Sequence, residues 1–457
     1  MKNLNSAFWP EVLDLMPPDR VKEATNGASS FNDPAFTSNK KAAVHRWVPW
    51  IAGFSREFVQ GALDRHLQGT GTVLDPFAGV GTTLVEAVLA GHNAIGFEIN
   101  PYAALACRTK LNAYRIDLHG VTHTIAAFAK FYQEAVEQQY TPKSAPPSGF
   151  KTRSAFYSPS VLWKVLIVQD FITQLENNSL RDLFRVAFAS TMVAYSNYSY
   201  EPSLGRRATA GKEDIEDFPV GETIASKLRD MAQDIGWVQQ QLNRKRPSVH
   251  IFNESFFIAG EQLPAASVEL IITSPPYLNN YHYNRNTRPH LYWLGYTRTP
   301  DDLRVLEEQN FGTYWQTARV QERIDLAFHL DDEEIRVCLE ELRAKTPEKG
   351  IYGGNGWANY AAAYFNDCYR FARTARYVLK HHGTALVVIG NSILQGVMIP
   401  TDQYLGKIAE SVGLELVDIH IPRATRVGNS IIQSEVRVAK AKASHQLYEA
   451  VVELRKR

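Results

Sequence analysis

The chain has 457 residues, 45% of them hydrophobic and 21% charged, which is enough apolar material to bury a large globular core. Its formal net charge of +1 excludes a strongly basic protein, so any binding to nucleic acid must come from local clusters of basic side chains. No apolar stretch approaches the ~20 residues of a membrane span and the N-terminus lacks a signal-peptide core, so we expect a cytoplasmic protein without a membrane partner.

A glycine-rich turn lies between two short apolar strands in the first quarter of the chain. The first strand, predicted from Thr72, ends at Asp75 and runs into Pro-Phe-Ala-Gly-Val-Gly-Thr-Thr, which opens a helix over residues 84–90. The second strand, residues 94–97, ends at Glu98. This order is typical of the nucleoside-binding half of a doubly wound α/β sheet, in which Glu98 would accept both hydroxyl groups of a ribose.

The charge of this turn predicts its ligand. The fingerprint for a nicotinamide dinucleotide requires a third glycine three residues after the second, but position 84 is leucine, and Asp75 would repel a pyrophosphate. An acidic side chain instead suits a ligand that carries a positive sulfonium and a positive ammonium group. The sequence therefore favours S-adenosylmethionine.

A helical insertion is predicted between the two halves of the sheet. Roughly 150 residues separate Glu98 from Glu254 at the end of the next strand, whereas an uninterrupted sheet needs only a helix and a turn there. The intervening segment contains helical periods, such as residues 160–167, and a polar loop at residues 144–148. We interpret residues 111–247 as a mainly helical inserted domain and as the candidate for target recognition.

The most informative motif follows the apolar strand over residues 268–273. In Ser274-Pro275-Pro276-Tyr277, the Ser274 hydroxyl and the Pro275 carbonyl are two successive hydrogen-bond acceptors, and both residues precede a proline, which keeps them extended. An exocyclic base amine is a poor nucleophile because its lone pair is delocalised into the ring, and such acceptors would localise that pair. Tyr277 supplies an aromatic face for stacking an extruded base. The motif therefore predicts methylation of a base amine.

The region that follows, residues 279–360, has no strand pattern. Its first ten residues mix amides, aromatics and arginines, which suits contacts to phosphates and to a displaced base, and residues 353–356 read as a mobile glycine turn. Further basic clusters are separate in sequence and would line one cleft only if the fold brings them together. They are Arg206 and Arg207 with Lys212, Arg244-Lys245-Arg246, Arg285 with Arg288, and Arg423 with Arg426.

Together, Asp75-Pro-Phe-Ala-Gly-Val-Gly-Thr-Thr and Ser274-Pro-Pro-Tyr resemble the motifs of the DNA amino-methyltransferases, which methylate N4 of cytosine or N6 of adenine. The resemblance implies a Rossmann-like methyltransferase sheet, S-adenosyl-L-methionine as methyl donor, double-stranded DNA as substrate and a possible cognate restriction endonuclease as partner. In that family the serine form of the second motif is associated mostly with cytosine N4, which is the expected target. Adenine N6, an RNA base amine and a non-catalytic nucleic-acid-binding module remain as alternatives.

The resemblance also implies roles for individual residues. It assigns catalysis to Ser274, Pro275, Pro276 and Tyr277. It assigns cofactor binding to Asp75, Phe77, Ala78, Gly79, Gly81, Thr82, Thr83, Glu98 and Glu254. It places His45 to Trp50, together with Phe54, where a segment packs on the methionine end of the cofactor.

The predicted domain order follows from these positions. We expect the N-terminal segment and the cofactor-binding half of the sheet in residues 1–110 and the insertion in residues 111–247. The catalytic half then occupies residues 248–457, with an inserted loop region at about 279–360.

The three cysteines exclude other chemistries. Cys107, Cys338 and Cys368 have no Cys-x-x-Cys spacing, so we expect no metal, no disulfide framework and no relation to the zinc deaminases. None follows a proline, whereas methylation at ring carbon 5 of cytosine uses a Pro-Cys nucleophile. Catalysis is therefore expected to depend on alignment and hydrogen bonding rather than on a covalent intermediate.

Overall fold

A computed structural model describes residue 31 and residues 39–50, 55–200, 203–242, 245–278, 283–313, 315–425 and 447–457. Phe54, Arg244, Arg426 and the side chain of Arg285, to which the sequence assigned roles, lie outside the described residues. Within these ranges, no helix combines the length and the apolar character needed to cross a membrane.

A seven-stranded mixed sheet forms the centre of the described chain, and two short strand pairs accompany it. The strands are β1 (Thr72–Asp75), β2 (Asn93–Phe97), β3 (Tyr198–Tyr200), β4 (Leu204–Arg206), β5 (Val249–Phe252), β6 (Val268–Thr273), β7 (Leu379–Gly390), β8 (Ser392–Leu394), β9 (Val397–Ile399), β10 (Leu414–Thr425) and β11 (Leu447–Lys456). The order across the large sheet is β5-β2-β1-β6-β7-β11-β10. The first five of these pair in parallel, and β11 is antiparallel to both of its neighbours.

Helices connect the strands and cover the sheet. They are α1 (Arg56–His66), α2 (Thr82–Ala90), α3 (Pro101–Leu111), α4 (Leu118–Glu137), α5 (Pro159–Gln174), α6 (Asn178–Thr191), α7 (Val220–Leu242), α8 (Ala259–Gln262), α9 (Tyr283–Trp293), α10 (Pro300–Glu308), α11 (Trp315–Arg319), α12 (Glu334–Ala344), α13 (Gly354–Val378) and α14 (Thr401–Ser411).

Alternate residues of the central strands face two separate apolar cores. Val73 and Leu270 lie in a core shared with α1, α2, α3 and the helices between β2 and β5, whereas Leu74 and Ile271 lie in a core shared with α12, α13 and α14. All four side chains are fully buried. Because successive strand residues point to opposite faces, helices on both faces explain why β1 and β6 read as continuous apolar runs.

The sheet order has a switch point between β1 and β6. From β1 the chain proceeds outwards through β2 to β5, and from β6 it proceeds in the opposite direction to β7. In doubly wound sheets, ligands bind beyond the carboxyl ends of the strands at such a point. This topology confirms the predicted doubly wound, Rossmann-like α/β fold and places the ends of β1 and β6, Asp75 and Thr273, beside one expected ligand site.

The insertion between β2 and β5 is mainly helical, as predicted. It contains α4 to α7 and the β3–β4 hairpin, the predicted helical period at residues 160–167 lies within α5, and residues 144–148 form neither helix nor strand. Its helices pack in the same core as α1 to α3. The proposed domain boundaries near residues 110 and 247 remain predictions.

The described part of the region between β6 and β7 contains the helices α9 to α13. Loops without helix or strand, such as residues 320–333, join them. The prediction of a mobile turn at residues 353–356 was wrong, because Gly353 is the N-cap of α13 and Gly354 begins that helix, buried against α12. Glycines occur both in tight turns and at closely packed helix starts, so a sequence pattern cannot distinguish the two.

Candidate active site

Asp75, at the end of β1, is hydrogen-bonded to the end of β6. The Thr273 hydroxyl donates to Asp75 Oδ1 at 2.6 Å, and the backbone N–H of Phe77 donates to the same oxygen at 3.1 Å. In the first turn of α2, Thr83 Oγ1 donates to the carbonyl of Ile272 at 3.3 Å. These bonds join the predicted cofactor motif directly to the strand that carries the predicted catalytic motif.

The glycine turn is tightly folded against α3. Gly79 and Gly81 have φ angles of +50° and +87°, and a Cβ atom on Gly81 would lie 2.6 Å from Cys107 Sγ. The Gly81 N–H donates to the carbonyl of buried Ala78 at 2.7 Å, and α2 begins at the next residue, Thr82. Only glycine meets both conditions at position 81, a left-handed backbone and no room for a side chain.

Glu98, at the end of β2, holds this turn in place. Its Oε2 accepts the N–H of Gly79 at 2.8 Å, and its Oε1 accepts the N–H of Asn100 at 2.7 Å. The sequence predicted a carboxylate for ribose hydroxyls but not these backbone bonds. Each carboxylate oxygen accepts more than one hydrogen bond, so the predicted ribose contact is compatible with them.

The two carboxyl groups lie in an environment that disfavours their charged forms. Burial raises the pKa of Asp75 to about 6 and that of Glu98 to about 7, and the proximity of Asp75 contributes to the rise at Glu98. A cationic ligand would relieve the cost of ionising them. The donor chemistry of the site therefore fits a positively charged nucleoside such as S-adenosylmethionine.

Aromatic rings form one side of the site. Phe77 packs edge-to-face on Phe311 at a ring separation of 5.2 Å, and Phe311 stacks on Phe257 at 6.0 Å. Phe257 follows β5, whereas Phe311 comes from the region between β6 and β7. This contact brings the region that follows the catalytic motif against the cofactor motif, which the sequence did not predict.

The remaining predicted cofactor residues lie around the same edge of the sheet. Glu254 follows β5, and its Oε2 accepts from Gln262 at 3.0 Å. Trp50 lies against Gly79, and the predicted packing of its segment on the cofactor remains a prediction. The His45 ring bonds to Glu86 of α2 at 2.7 Å.

Two acceptors in the predicted catalytic motif stay open within the described part of the chain. Among the described residues, neither the Ser274 hydroxyl nor the Pro275 carbonyl has a hydrogen-bond partner. The next carbonyl, that of Pro276, accepts from the hydroxyl of buried Tyr364 at 3.0 Å. The loop is therefore fixed by its third residue, while its first two residues keep acceptors for another molecule.

Tyr277 is held at the rim of the second core. Its hydroxyl donates to Glu449 Oε1 of β11 at 3.1 Å, and one edge of its ring packs on Gly390 at the end of β7. The side chain is only partly buried. Fixing the ring by its hydroxyl and one edge suits a platform on which a flat group could stack.

Lys110 is a buried residue that sequence reasoning missed. Its Nζ donates to the carbonyl of Val80, between the two glycines of the turn, at 3.0 Å. Burial lowers the pKa of Lys110 to about 7. In the sequence it is one lysine in a helix, so no pattern reveals that it supports the turn from behind.

Comparisons with known proteins find DNA methyltransferases. A family model described as DNA methylase matches residues 22–107. This match and the similarity to Type II methyltransferases support an amino-methyltransferase family. They also support S-adenosylmethionine as the methyl donor, as the chemistry of the site does.

Two Type II methyltransferases are similar over most of this chain. The Type II methyltransferase M.BsoBI of Geobacillus stearothermophilus is 24% identical over 93% of this chain and 89% of its own length. The Type II methyltransferase M.AvaI of Nostoc sp. is 23% identical over 87% and 84%, respectively. A shorter match, 38% identical over 16% of this chain and 14% of the relative, links it to the Type II methyltransferase M.MjaII of Methanocaldococcus jannaschii.

A solved rRNA methyltransferase, aviRa from Streptomyces viridochromogenes, aligns over 93% of this chain and 94% of its own. Its TM-score is 0.30 and its identity 9%. The strand order of the sheet, rather than this similarity, establishes the fold of the chain.

Proposed function

We propose that this protein methylates the exocyclic amino group of a base extruded from double-stranded DNA, with N4 of cytosine as the target. The observation that carries the proposal is the pair of acceptors at Ser274 and Pro275, open among the described residues, next to the hydrogen bond that joins β6 to Asp75. The similarity to Type II methyltransferases over most of the chain supports DNA as the substrate.

The cofactor would be held between the carboxylates and the aromatic wall. Asp75 and Glu98 offer negative charge at the ends of adjacent parallel strands, and Phe77, Phe257 and Phe311 offer apolar surface. When bound, S-adenosylmethionine supplies an electrophilic methyl group on a positively charged sulfur. The glycine turn, fixed by Glu98 and Lys110, lets the backbone approach this ligand without rearrangement.

The catalytic motif would prepare the amine. The two N–H groups of the amine would donate to the Ser274 hydroxyl and the Pro275 carbonyl, which would localise the nitrogen lone pair towards the methyl group instead of leaving it delocalised into the ring. Tyr277 would stack on the base and keep it in the pocket. The bound cofactor would supply the methyl group, its sulfur would keep the electron pair of the broken carbon–sulfur bond, and the nitrogen would lose one proton to solvent.

Nucleoside mass spectrometry tests the proposal. Purified protein is incubated with unmodified genomic DNA and S-adenosylmethionine that carries a deuterated methyl group, and the DNA is digested to nucleosides. We expect deuterated N4-methylcytosine. Deuterated N6-methyladenine would contradict the cytosine assignment while keeping the reaction class.

A parallel incubation with RNA and a calorimetric binding measurement address the remaining alternatives. Label in RNA instead of DNA would move the substrate to RNA. A wild-type protein that binds no cofactor by calorimetry would indicate a non-catalytic nucleic-acid-binding module. The predicted restriction endonuclease partner remains a prediction.

A further inference from the structure

Three segments of the chain meet at the first turns of α9, the helix that follows the catalytic motif. Thr287 Oγ1 accepts from the Asn100 side chain at 2.8 Å, which fixes this helix beside the end of β2 and Glu98. Asn286 binds the β3–β4 hairpin, since its Oδ1 accepts the Leu204 N–H at 2.9 Å and its carbonyl accepts the Tyr200 hydroxyl at 3.0 Å. The hairpin of the insertion therefore lies at the carboxyl edge of the sheet, next to the candidate active site.

The third segment precedes α5. Arg288 Nη2 donates to the carbonyl of Lys151 at 2.9 Å, and its guanidinium lies 5.5 Å from the ring centre of Phe150. The same segment packs closely on the residues that follow α9, because a Cβ atom on Gly149 would lie 1.8 Å from the carbonyl oxygen of Arg298. Lys151 and Arg153 are exposed and lie on the same segment as these contacts.

The basic side chains around the first turns of α9 are not paired with acidic side chains in the part of the chain that the structure describes. Among the described residues, Lys151, Arg153, Arg206 and Arg288 form no ion pair, and the first three are exposed. Arg323, by contrast, lies on another surface and pairs with both Asp325 and Glu340. Unpaired cations that share one site attract an anionic partner more strongly than cations already matched by carboxylates.

Two neighbouring cations are left out of this group for a physical reason. Arg207 Nε donates to the Glu213 carbonyl at 2.7 Å, and Lys212 directly precedes Glu213 and Asp214. The Arg207 guanidinium is thus already bonded to the backbone, and Lys212 lies next to two acidic residues in the sequence. Lys245 and Arg246, a cluster also noted in the sequence, precede the start of β5 and so lie at the opposite edge of the sheet.

We propose that Lys151, Arg153, Arg206 and Arg288, here named the basic rim, bind the phosphate backbone of duplex DNA beside the extruded base. The inference rests on the proposed function and identifies the surface through which the insertion meets the substrate. With a net charge of +1 the whole chain offers little attraction, so a local site of this kind is required. The hydrogen bonds of Asn286 couple the β3–β4 hairpin to α9, so phosphate contacts of the basic rim would orient both elements on the duplex.

A salt titration tests the basic rim. We compare the wild-type protein with the triple variant Lys151→Gln, Arg153→Gln, Arg206→Gln, which changes exposed side chains only. Binding to a fluorescein-labelled duplex is measured by anisotropy between low and moderate sodium chloride. The slope of log Kobs against log salt should decrease in magnitude by about 0.9 for each phosphate that the variant no longer neutralises, which is about 2.7 for three phosphates.

A control variant removes two positive charges at the opposite edge of the sheet. The variant Lys245→Gln, Arg246→Gln should keep the wild-type slope, and both variants should bind S-adenosylmethionine as the wild type does. A triple variant with an unchanged slope would overturn the basic rim even if the wild type methylates DNA normally. If the wild type methylates no DNA at all, the proposed function fails, and this outcome is read from the wild type alone.

Discussion

The two motifs that meet at the switch point differ in how their polar groups are used. In the glycine turn, Asp75 and both oxygens of Glu98 accept hydrogen bonds from the chain itself. In the catalytic motif, the Ser274 hydroxyl and the Pro275 carbonyl have no partner among the described residues. Under the proposed function, the cofactor side is therefore built before ligand binding, whereas the base side would be completed only when the base arrives. Catalysis benefits when the acceptors are fixed but unoccupied beforehand.

Truncation of Tyr277 should separate the two sides most strongly. In Tyr277→Ala the base loses its platform, a stacking interaction worth about 1 to 3 kcal/mol by itself, and the loop loses its anchor on Glu449. We expect kcat/KM for DNA to decrease by at least about 100-fold, while calorimetry shows cofactor affinity within about twofold of wild type.

The variant Tyr277→Phe provides the control, since it keeps the ring and removes only the hydroxyl. It should retain far more activity than Tyr277→Ala. Equal losses in the two variants would show that the hydroxyl, rather than the ring face, is the important part.

Removal of charge from Asp75 should have the reverse effect. Asp75→Asn keeps an acceptor for the Thr273 hydroxyl but removes the negative charge near the expected cation. A hydrogen bond to a charged group contributes about 1.5 to 3 kcal/mol, so cofactor affinity should decrease by about 10- to 150-fold in calorimetry. At saturating cofactor the rate should recover towards wild type; a large loss of kcat with unchanged affinity would contradict the assigned role.

The pH dependence of cofactor binding sharpens the same comparison. Burial raises the pKa of Asp75 to about 6 and that of Glu98 to about 7, so both groups bind protons in the free protein at mildly acidic pH. A cationic ligand favours their charged forms and therefore expels these protons. Affinity should therefore increase from pH 5.5 to pH 7.5 by up to about tenfold per pH unit for each proton released. Calorimetry in two buffers of different ionisation enthalpy counts those protons.

The stability of the free protein should change in the opposite direction. Because both folded pKa values lie above the unfolded ones, the folded state binds more protons between about pH 4 and pH 7, and this contribution to stability is lost as the pH rises through that window. Burial lowers the pKa of Lys110 to about 7, so this side chain titrates in the same pH range. The variant Lys110→Met removes its contribution and separates it from that of the two carboxylates. A pH-independent affinity in Asp75→Asn together with Glu98→Gln would assign the effect to the carboxylates.

Local patterns predicted the central part of the fold. The apolar runs that became β1 and β6, the glycine turn and the helix α2 depend on residues close together in the sequence, and the structure has each of them, with α2 beginning at Thr82, two residues earlier than predicted. The antiparallel strand β11 was not predicted. The roles assigned to the site residues remain predictions, although Asp75 and Thr273 do meet as the chemistry requires.

Contacts between distant segments were not predictable from one sequence. Glu449 is 172 residues from Tyr277, and Asn100 is 187 residues from Thr287. Phe311 lies in a region without a strand pattern yet completes the aromatic wall beside Phe77. A single buried hydrogen bond leaves no periodic signal, so only the folded chain identifies these partners.

The Glu449 carboxylate should have the smallest effect and gives the finest test of how the base side is prepared. It holds the Tyr277 hydroxyl from β11, a strand that carries no part of either motif. Glu449→Ala should lower kcat/KM several-fold, because a hydrogen bond of about 0.5 to 1.5 kcal/mol no longer fixes the ring. Glu449→Gln retains an acceptor oxygen and should restore most of the activity.

A double-mutant cycle decides whether Glu449 acts through Tyr277. If it does, Glu449→Ala in the Tyr277→Phe background should cause little further loss, since the hydroxyl that it holds is already absent. Additive losses would mean that Glu449 acts on the substrate or on the fold independently of the ring. Because the cofactor carboxylates lie at the end of other strands, calorimetric affinity for S-adenosylmethionine should remain at the wild-type value throughout the cycle, which places the effect on the base side of the switch point.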